Sequence, residues 1–175
     1  MTQQSTKVAA IDCGTNSIRL LIHDTEHGEI SRRNTIVRLG QGVDETGQFA
    51  PEAIERTRVA LADYVEEMQR EGVTRVRMVA TSATRDASNR DDFFAMTGEL
   101  LDQIQPDAVA EVITGEEEAA LSFAGATSDL DPIRGPFCVI DLGGGSTEFV
   151  METEDGIRAV STQMGCVRIL SLIHI

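Results

Sequence analysis

Two segments of the chain set an aspartate, a glycine-containing bend and hydroxyl side chains in the same order. The first is Val8-Ala9-Ala10-Ile11-Asp12-Cys13-Gly14-Thr15-Asn16-Ser17, and the second is Val139-Ile140-Asp141-Leu142-Gly143-Gly144-Gly145-Ser146-Thr147-Glu148. In each, an apolar strand reaches the Asp, bends, and leaves through polar side chains into a second apolar strand. Glycines remove the Cβ atoms that would keep an anion off the backbone, and they permit left-handed φ values. Successive N–H groups in such a bend form an anion-binding concavity. An Asp at the strand end can hold a divalent cation or orient a water between phosphate oxygens. One such turn is a common hairpin, but two copies imply a cleft that clamps phosphate from both sides.

Composition narrows the partners. The chain has 175 residues, no Trp and a single Tyr, so a base-stacking platform for nucleic acid is not expected. Its net charge of −14 opposes non-specific binding to nucleic acid or to an anionic membrane. The same charge requires that a polyanionic substrate meet a locally basic cleft or a bound metal. Cys13, Cys138 and Cys166 fit no zinc spacing and read as small buried residues in a reducing cytosol. The N-terminal residues lack a hydrophobic signal region, and no apolar run approaches the ~20 residues that span a bilayer. The expected location is the cytoplasm, with no membrane partner.

The elements that must carry these residues follow from periodicity and breakers. Residues 7–13 and 17–24 read as strands joined by a tight turn, and 30–39 as a third strand. The loop 40–50 contains three glycines and is expected to be mobile. Pro51 opens a helix whose apolar stripe is Ile54, Leu61, Val65 and Met68, and Gly72 ends it. A strand over 75–81 leads into Thr81-Ser82-Ala83-Thr84-Arg85, and a helix runs from Arg90 to Ile104. A strand over 110–113 precedes a helix starting near Glu116. Strands over 137–142, 146–151 and 157–162 follow. This order predicts an α/β domain whose mixed sheet, antiparallel and parallel, is buried between helices.

Asp12-Cys-Gly-Thr-Asn-Ser, Gly115-Glu-Glu-Glu-Ala, Asp141-Leu-Gly-Gly-Gly-Ser-Thr-Glu and Met164-Gly-Cys-Val-Arg together resemble the exopolyphosphatase and guanosine pentaphosphate phosphohydrolase (Ppx/GppA) family. The resemblance runs from Val8 to about Ile169. It implies a ribonuclease-H-like lobe of the actin-like, sugar-kinase-like ATPase superfold over residues 1–169. It also implies a second lobe of the same kind, absent here, with the active cleft between the two. Residues 170–175, Leu-Ser-Leu-Ile-His-Ile, do not resemble the family. They match the translation of CTGTCTCTTATACACATC, the end sequence of a common sequencing-library transposon, so a non-native tail is expected. A short C-terminal strand is the alternative.

The resemblance assigns roles position by position. Glu118 matches the family's catalytic glutamate, which would act as base toward a water in line with the terminal phosphorus. Three successive Glu at a helix start also have a plain structural use, since they favour the helix dipole. Asp141 and Glu148 match metal-associated carboxylates, with Asp12 on the other turn, and the expected ion is Mg²⁺. Phosphate donors are expected from Thr15, Asn16 and Ser17 and from Gly143, Gly144, Gly145, Ser146 and Thr147. Asn16 has an alternative as a left-handed turn residue. Arg85 resembles the family's phosphate-gripping arginine, and Arg19 shares a strand face with Ser17. His23, His27 and His174 form no ligand spacing.

The implied reaction is Mg²⁺-dependent, processive removal of terminal phosphate from inorganic polyphosphate. Removal of the 5′ γ-phosphate of guanosine pentaphosphate is the alternative within the family. A kinase or nucleotide-dependent chaperone of the superfold, and a sensor that binds alarmones without turnover, are rivals from other classes. The Gly115-Glu-Glu-Glu-Ala motif speaks against the first of these. A homodimer of the intact protein is a further expectation, and the 175 residues alone are expected not to catalyse.

Overall fold

The structure, a computed structural model, describes residues 6–173. It contains two compact units, Met1–Val112 and Ile113–Ile175. In the first, β1 (Lys7–Cys13) turns back into β2 (Ser17–Asp24), which turns back into β3 (Gly28–Ile36). Strands β4 (Arg75–Ala80) and β5 (Glu111–Val112) add in parallel on the other side of β1. The order is β3-β2-β1-β4-β5, the mixed sheet expected.

Strict alternation gives this sheet one buried face. Ala9, Ile11, Cys13, Ile18, Leu20, Ile22, Val76, Met78 and Ala80 are buried, while Ala10, Arg19, His23, Arg75 and Arg77 between them are exposed. Side chains of successive strand residues point to opposite faces, so the buried set defines one side. Helices α2 (Pro51–Glu71) and α4 (Arg90–Leu101) supply Leu61, Tyr64, Val65, Met68, Phe93 and Leu101 to the same core. Tyr64 ties helix to sheet, its hydroxyl bridging the Ile18 carbonyl at 3.0 Å and the Thr35 hydroxyl at 2.9 Å. Gly72 ends α2 at φ 74, and its N–H reaches the Gln69 and Met68 carbonyls.

Three expectations for this unit change. The third strand stops at Ile36, because Val37 and Arg38 donate their N–H groups to the Asn16 carbonyl and leave the ladder. The 40–50 loop contains a helical turn, α1 (Val43–Thr46), between left-handed Gly42 and Gly47. Leu39, Val43 and Phe49 are buried in the core, so the segment is anchored. After β4 the chain forms α3 (Ser82–Asp86).

In the second unit, α5 (Gly115–Thr127) packs on an antiparallel sheet of β6 (Cys138–Leu142), β7 (Thr147–Thr153) and β8 (Gly156–Thr162), in the order β6-β7-β8. Ala119, Phe123 and Val150 are buried there, with Phe137 and Val139 against them. On the opposite face Ile140, Phe149 and Val160 stand in register across the three strands, all exposed. The described strands therefore form two sheets, because β6 pairs with β7 and not with β5. Cys13 is buried as expected, whereas Cys138 and Cys166 are exposed. The chain continues into α6 (Cys166–Ile173), so residues 170–173 are helical and not a strand. His174 and Ile175 lie outside the described residues. Among the described residues, no helix is long and apolar enough to cross a membrane.

Candidate functional site

The first turn is closed by the Gly14 N–H donating to the Ser17 carbonyl at 3.0 Å. Its carbonyls are held from one side. Gly40 N–H donates to the Thr15 carbonyl at 2.8 Å, and Val37 and Arg38 N–H groups converge on the Asn16 carbonyl at 3.0 and 2.9 Å. That convergence accompanies a left-handed Arg38, φ 52. Arg56 on α2 holds the segment by donating from Nε to the Val37 carbonyl at 2.8 Å and from Nη2 to the Arg38 carbonyl at 3.3 Å. A trans peptide sets the next N–H opposite its C=O. Anchoring the Thr15 carbonyl therefore aims the Asn16 N–H away from Gly40.

Asn16 itself is not left-handed, since the non-glycine residues with positive φ are Arg38 and Asp107. Nor does Gly14 have a positive φ, and a Cβ built on it meets nothing nearer than the Ser17 carbonyl oxygen at 3.7 Å. Packing does not require glycine at that position, which leaves the backbone open to an approaching ligand. Asp12 lies opposite Arg19 in the strand register, with Nη1 to Oδ2 at 3.5 Å. Arg85 sits half-buried on α3. Strand β4 runs parallel to β1, with Ala80 opposite Cys13, so α3 and the first turn leave the same end of the sheet. Burial, and then the charge of Asp12, push the Cys13 thiol far above its ordinary pKa, so it stays protonated and inert.

The second turn is pinned in the same manner. Gly143 N–H donates to the Ser146 carbonyl at 2.9 Å. The Cys166 N–H reaches the Gly143 carbonyl at 3.0 Å, and Val167 and Arg168 N–H groups reach the Gly144 carbonyl at 2.9 and 3.1 Å. The start of α6 thus takes these carbonyls, and peptide planarity turns the Gly144 and Gly145 N–H groups away from it. A Cβ on Gly165 would sit 2.2 Å from the Gly144 carbonyl oxygen, so glycine is obligatory for this approach. Ser146 and Thr147 are buried. The Thr147 hydroxyl donates to the Met164 carbonyl, which ties the end of the turn to the segment before α6.

Helix α5 brings the carboxylates into relation. Thr114 caps it, its hydroxyl accepting the Glu117 N–H at 3.1 Å, and Glu118 occupies its first turn. Ser122 lies four residues on, hence on the same helix face. Its hydroxyl donates to Asp141 Oδ2 at 2.6 Å. Asp141 and Glu148 are directly paired across β6 and β7. Glu148 is only 1% exposed and accepts from the Ser161 hydroxyl of β8 at 2.8 Å. Glu116 and Glu117 are exposed. The alignment of Ser122 with Glu118 was readable as an i, i+4 spacing, whereas the involvement of Gly40, Arg56 and Ser161 depends on long-range contacts.

These residues suit a hard cation. Among the described residues no three His, Cys, Asp or Glu side chains form a metal-holding group. Mg²⁺, however, needs only one or two carboxylates when waters and phosphate oxygens complete its shell. A buried carboxylate is costly without a positive partner, and among the described residues Glu148 and Asp141 form no ion pair. Each carboxylate has one oxygen engaged by a serine, and the other, Asp141 Oδ1 or Glu148 Oε2, takes no hydrogen bond from the described residues.

The fold, helices packed on a mixed sheet and on an antiparallel one, is shared with solved structures of Ppx/GppA phosphatases. Residues 21–173 match the Ppx/GppA phosphatase family, and the chain belongs to it. Exopolyphosphatase 2 of Mycobacterium tuberculosis is 57% identical over 171 residues, which cover 94% of this chain and 54% of that protein. The crystal structure of the Aquifex aeolicus family member superposes with a TM-score of 0.74 at 35% identity, covering 95% of this chain and 54% of its own. An exopolyphosphatase from Cytophaga hutchinsonii gives a TM-score of 0.84 at 27% identity, with coverages of 97% and 54%. The chain thus spans about half the length of these relatives.

Proposed function

We propose that the protein hydrolyses the terminal phosphoanhydride bond of inorganic polyphosphate, with Glu118 as general base. One observation carries this reading. Helix α5 places Glu118 on the same face as Ser122, and Ser122 contacts Asp141, so the candidate base and the candidate metal carboxylates belong to one compact unit. The choice of polyphosphate follows the 57% identity to Exopolyphosphatase 2 of M. tuberculosis. Asp141 and Glu148 would hold Mg²⁺. The ion supplies neutralisation of charge developing on the transferred phosphoryl group and its leaving oxygen.

The remaining work belongs to the chain itself. Glu118 accepts the proton of a water set in line with the terminal phosphorus. Within the second unit the N–H groups of Gly144 and Gly145 would orient phosphate oxygens; within the first, the Asn16 N–H and the Arg85 guanidinium, a charge-assisted donor, are the candidate phosphate contacts. That local cation answers the problem posed by the overall charge of −14. The reading concerns the whole protein, and a polypeptide of these 175 residues alone is expected to release no measurable phosphate.

The test is phosphate release by the full-length protein from polyphosphate, guanosine pentaphosphate and ATP in parallel. Glu118→Gln should lower kcat about a hundredfold or more on polyphosphate, the scale of a lost general base, with KM little changed. Arg85→Ala should raise KM instead. Near-normal kcat in Glu118→Gln removes that residue from the role. Preferential turnover of pentaphosphate would reassign the substrate within the family.

A further inference from the structure

We infer that Ser122 and Ser161 are positioning residues that reserve one oxygen of each carboxylate for the cation and thereby favour Mg²⁺ over Ca²⁺. The inference rests on the metal assignment proposed above and extends it to residues outside the family motifs. The two hydroxyls engage one oxygen each, Asp141 Oδ2 at 2.6 Å and Glu148 Oε1 at 2.8 Å. They come from different elements, α5 and β8, on either side of a directly paired Asp141 and Glu148. A carboxylate whose second oxygen already accepts from a hydroxyl favours contact with a metal through the first oxygen, because one lone pair of the second is spent. Single-oxygen contact suits the small, strictly octahedral Mg²⁺, whereas Ca²⁺ readily takes both oxygens of a carboxylate in a larger shell. Hydroxyl and amide partners that orient ligands in this way commonly carry a share of metal affinity.

Helix α5 carries one of the two hydroxyls and packs against the strand that carries the other. A serine in mid-helix can return its hydroxyl to the carbonyl four residues earlier, here that of Glu118, but Ser122 spends its proton on Asp141. A Cβ built on Gly115, the first residue of α5, would lie 3.6 Å from the Ser161 Cβ, in ordinary contact. The start of the helix therefore lies near Ser161, while its second turn reaches Asp141. A shift of α5 would move the Ser122 contact with Asp141 together with Glu118.

The experiment uses the full-length protein without substrate. Mn²⁺ binding is followed by electron paramagnetic resonance, and Mg²⁺ and Ca²⁺ are titrated as competitors. In Ser122→Ala, Mg²⁺ affinity should fall about tenfold, the lower end of the range for such partners, and Ca²⁺ affinity should fall less, narrowing the Mg²⁺/Ca²⁺ ratio. Ser122→Thr, which restores a hydroxyl, should recover the ratio, and Ser161→Ala should behave like Ser122→Ala. Thermal unfolding of each metal-free variant near that of the parent excludes loss of fold as the cause. Unchanged Mg²⁺ affinity in Ser122→Ala, or equal loss of both ions, overturns the inference if Asp141→Asn still abolishes Mg²⁺ binding. Full Mg²⁺ affinity in Asp141→Asn overturns the metal assignment itself, and the inference falls with it.

Discussion

Gly165 belongs to neither glycine turn, yet it tolerates a side chain less than Gly14 or Gly143 inside them. A Cβ there would stand 2.2 Å from the Gly144 carbonyl oxygen, against 2.9 Å from the Ser146 oxygen for Gly143 and 3.7 Å from the Ser17 oxygen for Gly14. The contact is with backbone, which cannot rotate aside as a side-chain tip can. Gly165→Ala is therefore expected to cost about 1–3 kcal/mol, the range for overpacking. Gly14→Ala should stay within about 0.5 kcal/mol in stability, as an uncrowded substitution, while raising KM for polyphosphate by filling the space left for phosphate. Urea unfolding and steady-state kinetics on the full-length protein separate the two effects, and equal destabilisation by both would contradict this account. The motifs themselves were legible as glycine, hydroxyl and carboxylate in sequence. Their fixation was not, since it depends on backbone contacts from residues 37–40 and 165–168.

Helix α5 shows how much local chemistry decides an element. Thr114 caps it and Glu116, Glu117 and Glu118 fill its first turn, where the dipole favours anions. Thr114→Ala should cost about 1 kcal/mol, the usual loss of a threonine cap, and Thr114→Ser should restore it, as read by thermal unfolding of the full-length protein. An Ala variant as stable as the parent would show that packing against β6, β7 and β8 fixes the helix start unaided. Elements with strong punctuation were readable in the same way. The ends of β1, β2 and α2 fall where the strand patterns, Pro51 and Gly72 place them. The short helices α1 and α3 were not, because four or five residues carry no period. The helical course of residues 166–173 was hidden too, as an apolar run of that length fits strand or helix equally.

At the scale of the molecule, the sheet of the second unit has an open apolar face. Ile140 is 62%, Phe149 42% and Val160 62% exposed, in one row across three strands. Contiguous apolar surface of this kind promotes association. A polypeptide of these 175 residues should sediment as concentration-dependent oligomers, and the double variant Ile140→Thr/Phe149→Thr should shift it toward monomer. A parent that remains monomeric at high concentration would show that the face is not adhesive. The net charge of −14 works against association, so added salt, which screens it, should strengthen the effect. The pinned carbonyls of the two turns have a calorimetric consequence as well. With residues 37–40 already holding the first bend and residues 166–168 the second, neither bend has to fold when a phosphate arrives. The heat-capacity change of phosphate binding to either turn should then be small, because a large negative value accompanies burial of apolar surface by coupled folding.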